Sequence, residues 1–281
     1  MAIETLGIAE HSRYTLPGDY IVDLGDSVIN CVAGTQYFSP EALQTLCERQ
    51  RAVSPPWATT RLELGNESTL GAAHELVSSG KYRHVAALNF ASAKNPGGGF
   101  LNGSLAQEES LAVSSALYLS LRKAEEYYNY HRGSSSLLYS ERMIFSPACP
   151  VFRVDNGDLL PQPYLLSIVT SAAPNAGAIR DNAPELEPQI PEVFRRRAEL
   201  VLALAASRGV DALILGAWGC GVFRNDPVMV AQTFAELLRP GGPWHGHFET
   251  VRFAVLDNQA SPVIFEAFLD VLLNLTASSP G

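Results

Sequence analysis

The chain has 281 residues, of which 47% are hydrophobic and 17% are charged, and its formal net charge is −9. This composition is typical of a globular protein that buries a core without disulfide or metal staples. The acidic charge argues against a direct nucleic-acid partner, because such binding needs many Lys and Arg side chains against phosphate. No apolar run approaches the roughly 18 residues of a membrane span, and residues 1–10 lack a secretion signal, so we expect a cytoplasmic protein without a membrane partner.

Four cysteines, Cys31, Cys47, Cys149 and Cys220, are scattered along the chain. They form no CxxC pair and have no His at zinc-ligand spacing. We therefore expect reduced, structural thiols and no metal site.

The first 58 residues favour helices, and the clearest is predicted at residues 41–49, where Pro40 stands near the helix start. A strand is predicted at residues 60–64. A helix is predicted at residues 69–78, with Asn66 or Ser68 as its cap.

From residue 85 onward, short apolar runs alternate with longer helical patterns, as in an α/β domain. Four runs are typical of buried strands in a sheet covered on both faces: residues 85–90, 164–170, 212–217 and 251–256. Residues 190–207 predict a helix, whose Arg195, Arg196 and Arg197 form either a phosphate patch or, as we favour, a solvated face. The proline-rich residues 174–191 predict a surface loop, and the lack of a linker favours one domain.

A first glycine-rich stretch directly follows the strand predicted at residues 85–90. Residues 89–100 read Asn-Phe-Ala-Ser-Ala-Lys-Asn-Pro-Gly-Gly-Gly-Phe, and loops at strand ends are where α/β proteins bind ligands. Glycines let backbone amides approach a sugar or phosphate closely, although a flexible turn has the same composition. The stretch lacks the GK[ST] ending of a nucleotide-binding P-loop. Whether it is a ligand-binding loop or only a flexible turn therefore depends on the neighbouring residues.

Two adjacent carboxylates, Glu108 and Glu109, follow Gln107, which seven residues separate from Gly99. They stand at the start of a helix that we expect to continue through residues 110–121. Such residues often only complement the helix dipole. Beside a ligand loop, however, a carboxylate pair provides the proton for a departing oxygen and stabilises an oxocarbenium-like sugar, as glycosidic cleavage requires.

A second glycine-rich stretch, residues 216–227, reads Gly-Ala-Trp-Gly-Cys-Gly-Val-Phe-Arg-Asn-Asp-Pro after another apolar strand. Asp226 and Pro227 predict a helix that runs to about Leu238. A strand, a glycine loop and a helix start favour a diphosphate held by amide donors. Arg224 stands where GxGxxG requires glycine, which disfavours a dinucleotide fold, and Cys220 has no His partner that would make it a nucleophile, so we favour a packed thiol.

Taken together, these motifs resemble a known family, the poly(ADP-ribose) glycohydrolases of the compact microbial type. The signature of that family is GGG, six to eight residues, and QEE, which residues 97–99 and 107–109 match. Residues 89–93, 167–175 and 216–227 are also similar, so the resemblance spans about residues 60 to 260. It implies a macrodomain-like, three-layer α/β/α fold with a mixed central sheet, in one catalytic domain comprising a mainly helical extension (1–58) and a core (59–281).

The resemblance also implies what the protein does. It implies hydrolysis of the ribose–ribose O-glycosidic bond of poly(ADP-ribose), from chain ends and without any cofactor, with poly(ADP-ribosyl)ated proteins as the carriers of the polymer. Glu109 matches the general acid that protonates the departing ribose oxygen and then activates water, and Glu108 matches the residue that holds the distal ribose hydroxyls. The substrate-binding residues carried over are Asn89, Asn95, Gly97, Gly98, Gly99 and Gln107 on the ribose side, and Gly219, Cys220, Gly221, Val222 and Phe223 at the diphosphate.

Two other functions stay open at this point. A macrodomain-like reader would bind ADP-ribose without cleaving it, since glycine loops suffice for binding. A mono-ADP-ribosyl hydrolase would act on a modified protein side chain. The Glu108 and Glu109 pair favours the glycohydrolase over the reader.

Overall fold

The structure is a computed structural model that describes residues 1–277, with nine strands and eleven α-helices in that range. The strands are β1 (Arg13–Leu16), β2 (Tyr20–Asp23), β3 (Gln36–Phe38), β4 (Arg61–Gly65), β5 (Val85–Phe90), β6 (Met143–Arg153), β7 (Leu159–Ser171), β8 (Ala212–Leu215) and β9 (Thr250–Ala254). The helices are α1 (Ala2–His11), α2 (Ser27–Gly34), α3 (Pro40–Arg51), α4 (Thr69–Ser78), α5 (Gln107–Ser114), α6 (Leu117–Lys123), α7 (Glu125–Gly133), α8 (Ala176–Asn182), α9 (Ile190–Ser207), α10 (Pro227–Leu238) and α11 (Val263–Ala277). Short 3-10 helices lie at Phe100–Asn102 and Pro184–Gln189.

Seven strands form the central sheet in the order β3-β6-β7-β5-β8-β9-β4. The pairs β3/β6 and β6/β7 are antiparallel, and the pairs from β7 through β5, β8 and β9 to β4 are parallel. The sheet is therefore mixed, as predicted. Strands β1 and β2 form a separate antiparallel ribbon.

The buried side chains of β5 show why helices cover both faces of the sheet. Val85 and Ala87 belong to one hydrophobic cluster, with residues of α1, α2 and α4 to α7. Ala86 and Leu88 belong to the other cluster, with residues of α3, α9, α10 and α11. Because successive side chains of a strand point to opposite faces, one apolar run serves two cores and makes three layers.

Several predicted elements are confirmed, and the best of them carry local caps. Helix α4 has the predicted bounds, with the Ser68 hydroxyl accepting a hydrogen bond from the Gly71 amide at 2.8 Å. Helix α10 begins at Pro227, where the Asp226 carboxylate accepts from the Val228 amide at 2.9 Å. Helix α9 also has the predicted bounds, and all four strands predicted from residue 85 onward overlap observed ones.

Other predictions are wrong for identifiable reasons. The helix expected through residues 110–121 is broken between α5 and α6, because Ser115 is extended (φ −148°) and bridges to Val151. The loop expected at residues 174–191 contains α8 and a 3-10 helix, because Asn175 caps the first and Pro184 begins the second, where proline is tolerated.

Strand β6 was not predicted at all. Pro147 and Pro150 argue against a central strand. The strand accommodates them through a register shift between Ser146 and Cys149, where Ala148 has a positive φ of 43°.

Candidate active site

Two glycine-rich loops meet at the carboxyl edge of the parallel strands. The first glycine loop (residues 91–106) follows β5, and the second glycine loop (residues 216–226) follows β8. Strand β5 pairs with β7 on one side and with β8 on the other. Both loops therefore leave the same edge of the sheet from neighbouring strands, where α/β proteins bind ligands.

Gly98 is the residue of the first glycine loop that lies against both carboxylates. Its φ is +61°, a backbone conformation that side chains disfavour. A Cβ atom there would collide with Oε1 of Glu109 and would lie 3.3 Å from Oε2 of Glu108. The absence of a side chain at Gly98 thus allows the loop to close over the start of α5.

Glu109 lies between the loop and the open cleft. Its Oε1 accepts a hydrogen bond from the Gly99 amide at 2.9 Å, and the side chain is half-buried. One backbone donor thus fixes the carboxylate while the side chain stays accessible to a ligand.

Glu108, by contrast, is almost fully buried, with 3% of its surface exposed. Its Oε2 accepts from the Ser92 amide at 2.6 Å, and its Oε1 accepts from Nδ2 of Asn89 at 3.2 Å. Burial raises the pKa of Glu108 to about 8, against the lowering effect of the Ser92 and Asn89 hydrogen bonds. Burial thus favours the protonated form of Glu108.

Gln107 ties the start of α5 to β5. Its Oε1 accepts from the Phe90 amide at 2.8 Å, and its Nε2 donates to the Leu88 carbonyl at 2.8 Å and to the Thr69 hydroxyl at 3.1 Å. The side chain continues the hydrogen-bonding pattern of the strand. These hydrogen bonds fix the first residue of α5 relative to β5, and with it the position of Glu108 and Glu109.

Within the second glycine loop, the buried side chain of Asn225 fixes the backbone through hydrogen bonds. Its Nδ2 donates to the Pro174 carbonyl at 2.8 Å and to the Gly219 carbonyl at 3.1 Å. Gly219 has a φ of +75°, and a Cβ there would lie 2.7 Å from Cβ of Ala173. Phe223 extends from this loop toward Tyr139, with ring centroids 5.9 Å apart.

The loops enclose a cleft of about 480 Å³. Its walls are residues 90–95, Gly98, Gly99, residues 106–109, Tyr139, Ala217, Gly219 and residues 221–223. A side cavity of about 670 Å³ adjoins it and shares Phe90, Ala106, Gln107, Ala217 and Gly221 with the cleft. The other walls of the side cavity include residues 67–70, shortly after β4, and residues 254–256, at the end of β9.

The structure brings most of the predicted site residues to this cleft. Ten of them line it: Asn95, Gly98, Gly99, Gln107, Glu108, Glu109, Gly219, Gly221, Val222 and Phe223. Three predicted substrate-binding residues, Asn89, Gly97 and Cys220, are not among its walls.

The structure places those three residues behind the walls of the cleft. The Asn89 side chain is fully buried and contacts Glu108, and its Oδ1 has no hydrogen-bond partner within residues 1–277. Gly97 is buried against Phe100 and Ala112. Cys220 is a packed thiol, as favoured from the sequence, and burial raises its pKa to about 12.

Sequence reasoning missed Tyr139 and Asn225, and it misjudged Arg197. Arg195 and Arg196 are exposed and pair with Glu236 and Glu141, as a solvated face should. Arg197 is fully buried and donates to the carbonyls of Ala172 (2.7 Å) and Leu138 (2.9 Å). The sequence did contain a signal for the burial of Arg197. At helical spacing this residue shares one face of the helix with the apolar residues Ile190, Phe194 and Val201.

The four cysteines are free and buried. No group of three His, Cys, Asp or Glu side chains arranged for a metal ion occurs among the residues described. In that same range, every helix is too short or too polar to cross a membrane.

Comparisons with known proteins agree on one family. Residues 2–154 match the family model described as "Microbial-type PARG, catalytic domain". The structure of poly(ADP-ribose) glycohydrolase from Thermomonospora curvata is 47% identical, with 96% of this chain and 97% of that chain covered and a TM-score of 0.91. The T. curvata enzyme bound to the inhibitor ADP-HPD is 46% identical with the same coverage and a TM-score of 0.88.

A second organism gives the same result. The poly(ADP-ribose) glycohydrolase from Deinococcus radiodurans, in complex with ADP-ribose, is 46% identical, with 93% of this chain and all of that chain covered and a TM-score of 0.84. No curated protein matches the chain.

Proposed function

Since the chain belongs to the family of microbial-type poly(ADP-ribose) glycohydrolases, we propose that Glu109 is the general acid and base with which it cleaves the polymer. The activity is hydrolysis of a glycosidic bond, and the fold is macrodomain-like, both as the sequence predicted. One observation carries the assignment of Glu109: its carboxylate accepts the Gly99 amide on the wall of a cleft that both glycine loops line.

The chemistry needs one carboxyl group with two successive roles. Protonated Glu109 gives its proton to the ribose oxygen that departs, and positive charge develops at the anomeric carbon of the distal ribose. A water molecule then attacks that carbon and returns a proton to the Glu109 carboxylate. The bond to the departing oxygen is replaced by a bond to the hydroxyl of water, so Glu109 ends in its starting state.

Glu108 positions the sugar in this proposal. Its carboxyl group lies on the cleft wall beside Glu109, anchored by the Ser92 amide and by Asn89. Burial favours the protonated form of this carboxyl group, which can donate a hydrogen bond to a distal ribose hydroxyl. Asn89 then acts through Glu108 rather than by touching substrate.

The two connected cavities suggest where the rest of the ADP-ribose unit binds. The diphosphate lies in this proposal at residues 219–223, where the backbone amides of the second glycine loop favour an anion. This explains how a protein of net charge −9 accepts a polyanion. The adenosine end extends into the side cavity, which shares five wall residues with the cleft.

We extend the proposal to the substrate in two respects. The enzyme removes units from chain ends, and poly(ADP-ribosyl)ated proteins carry the polymer that it trims. Sizing of the products over time tests the first point, because end trimming releases ADP-ribose while intermediate lengths shrink gradually.

The variant Glu109→Gln tests the catalytic assignment. It keeps the size of the side chain but removes the proton that titrates, so kcat on polymer should fall by about 10²-fold or more. Its affinity for ADP-ribose, measured by calorimetry, should stay within about threefold of the wild type, because the sugar and diphosphate contacts remain. The exposed carboxylate Glu192, which lines neither cavity, provides the matched control Glu192→Gln, with activity unchanged.

Undiminished turnover in Glu109→Gln would refute the role of Glu109. Wild-type protein that binds ADP-ribose but leaves polymer intact would instead make the chain a reader. Release of ADP-ribose from mono-modified protein, with polymer untouched, would point to the side-chain hydrolase.

A further inference from the structure

A third cavity lies next to the catalytic loop and has no part in the function described so far. It measures about 280 Å³ and is lined by Pro96, Tyr118, Arg122, Glu125, Tyr128 and Arg132. We call it the arginine pocket. Tyr118, Arg122 and Glu125 come from α6 and the start of α7, on which Arg132 also lies.

The arginine pocket is connected to the cleft through one stretch of chain. Pro96 forms its wall and is two residues from Gly98, while Lys94 and Asn95 line the cleft. Nη1 of Arg132 donates to the Lys94 carbonyl at 3.2 Å. Residues 94–98 thus separate the two spaces, one side facing Glu109 and the other facing the arginines.

The arginine pocket borders the cleft at the first glycine loop. It shares no wall residue with the cleft or with the side cavity within residues 1–277, but its Pro96 directly follows Asn95 of the cleft wall. The cleft and the side cavity meet at five other wall residues. The arginine pocket therefore adjoins the part of the cleft wall that contains Asn95 and Gly98, against which Glu109 lies.

Two guanidinium groups, of Arg122 and Arg132, and one carboxylate, of Glu125, lie at this cavity. Arg122 and Arg132 are exposed and form no ion pair within residues 1–277. In a chain of net charge −9, two unpaired guanidinium groups at one small cavity mark a place for an anion.

The partners that these arginines do have leave donors free. Nη1 of Arg122 donates to the Tyr118 hydroxyl at 3.3 Å, and Nη2 of Arg132 donates to Oδ1 of Asn129 at 3.1 Å. A guanidinium group has five N–H donors, and its planar fork matches the oxygens of a phosphate. Two guanidinium groups at one cavity can therefore bind the two phosphate groups of a diphosphate.

We propose that the arginine pocket binds the diphosphate of the ADP-ribose unit on the departing side of the scissile bond. This proposal rests on the proposed function. The polymer would run from adenosine in the side cavity, through the diphosphate at the second glycine loop and the distal ribose at Glu109, to the next unit. The first charged group of that next unit is its own diphosphate, and the arginine pocket is the cationic cavity on that side.

The test compares two substrates that differ only beyond the scissile bond. One is poly(ADP-ribose), and the other is ADP-ribose with a neutral aryl group on the anomeric oxygen of the distal ribose. In Arg122→Ala the ratio of kcat/KM on polymer to kcat/KM on the aryl substrate should fall about fivefold, mainly through KM. Arg122 makes no hydrogen bond to the first glycine loop, so this variant isolates the phosphate contact.

Two further variants sharpen the result. Glu125→Gln removes the negative charge at the pocket and should lower KM on polymer about twofold, opposite in sign to Arg122→Ala. The double variant Arg49→Ala/Arg239→Ala removes two exposed arginines that line none of the three cavities, and should leave the ratio unchanged. Inorganic diphosphate, added as a free anion, should inhibit polymer cleavage more than aryl-substrate cleavage.

The outcomes separate the two proposals. A wild-type enzyme that cleaves neither substrate would overturn the proposed function and the subsite with it. A wild-type enzyme that cleaves both, with an unchanged substrate ratio in Arg122→Ala and no response to Glu125→Gln, would overturn the subsite alone. A fall in the ratio for Arg49→Ala/Arg239→Ala would also overturn it, because net charge would then be the cause.

Discussion

At the residue scale, Gly98 combines two separate requirements at one position. Its positive φ favours glycine, and the space for a side chain is already taken by the carboxylates of Glu108 and Glu109. Gly80, after α4, has nearly the same φ of +63°, but nothing lies within 4 Å of where its Cβ would be. A comparison of the two glycines therefore distinguishes backbone strain from crowding of the Glu109 side chain.

We expect Gly98→Ala to lower kcat by about 10²-fold, because the new methyl group displaces Glu109. The matched variant Gly80→Ala should keep full activity. Both should lose about 1 kcal/mol of unfolding free energy from the positive φ, or about 2–4 °C in Tm. Steady-state kinetics and thermal denaturation of both variants check this, and equal activity in the two would contradict the crowding argument.

Sequence reasoning reached the residues of the proposed active site because their signature is local. The glycines and the Gln107 to Glu109 segment are adjacent in the chain, and the spacing between them is itself a motif. Arg197 was misjudged because its partners, Ala172 and Leu138, are 25 and 59 residues away. Its burial is set by tertiary contacts that a charge run does not reveal.

At the element scale, α9 connects the back of the site to the core. Arg197 on this helix ties the Ala172 carbonyl, just after β7, to the Leu138 carbonyl, next to Tyr139 on the cleft wall. Burial lowers the pKa of Arg197 to about 10, yet it remains a cation at neutral pH. One buried side chain thus sets the distance between a strand end and a loop of the cleft.

We expect Arg197→Met to lower the unfolding free energy by about 1–3 kcal/mol, because two buried carbonyls lose their donor while one charge desolvation is relieved. Affinity for ADP-ribose should weaken as well, since Tyr139 loses its anchor. Arg195→Met removes an exposed pair with Glu236 and should cost less than about 0.5 kcal/mol. Urea denaturation and calorimetry check this; a similar loss in both variants would argue against a special role of Arg197.

Elements with local signals were predictable, and elements made by distant pairing were not. Helices α4 and α10 are capped by the residues that directly precede them, Ser68 and Asp226. The break between α5 and α6 depends on Ser115 bridging to Val151, and β6 depends on a register shift beside Ala148. Both features arise only when the sheet is assembled.

At the scale of the whole molecule, the first 58 residues are joined to the rest at several places. Strand β3 pairs with β6, so the extension predicted to be mainly helical supplies an edge of the central sheet. The buried Arg153 in β6 forms an ion pair with Glu4 at 2.8 Å. Leu43 in α3 is fully buried in the cluster that contains α9. These contacts support the proposal that the chain is one domain.

We expect the intact protein to unfold in one calorimetric transition, with van't Hoff and calorimetric enthalpies in agreement. Removal of residues 1–58 should lower Tm by at least about 10 °C, because the edge of β6 and the apolar face of α9 lose their cover. Two resolved transitions in the intact protein would contradict a single domain, as would a truncated protein with the Tm of the intact one.

The tight fit of Gly98 and Gly219 has a consequence for how the gene can change. Every missense mutation of a glycine codon encodes a residue with a Cβ, which at these positions meets Glu109 or the side chains of Ala173 and Asn225. We therefore expect missense changes at these two codons to displace the site and lower activity, and selection on this enzyme to retain glycine at both.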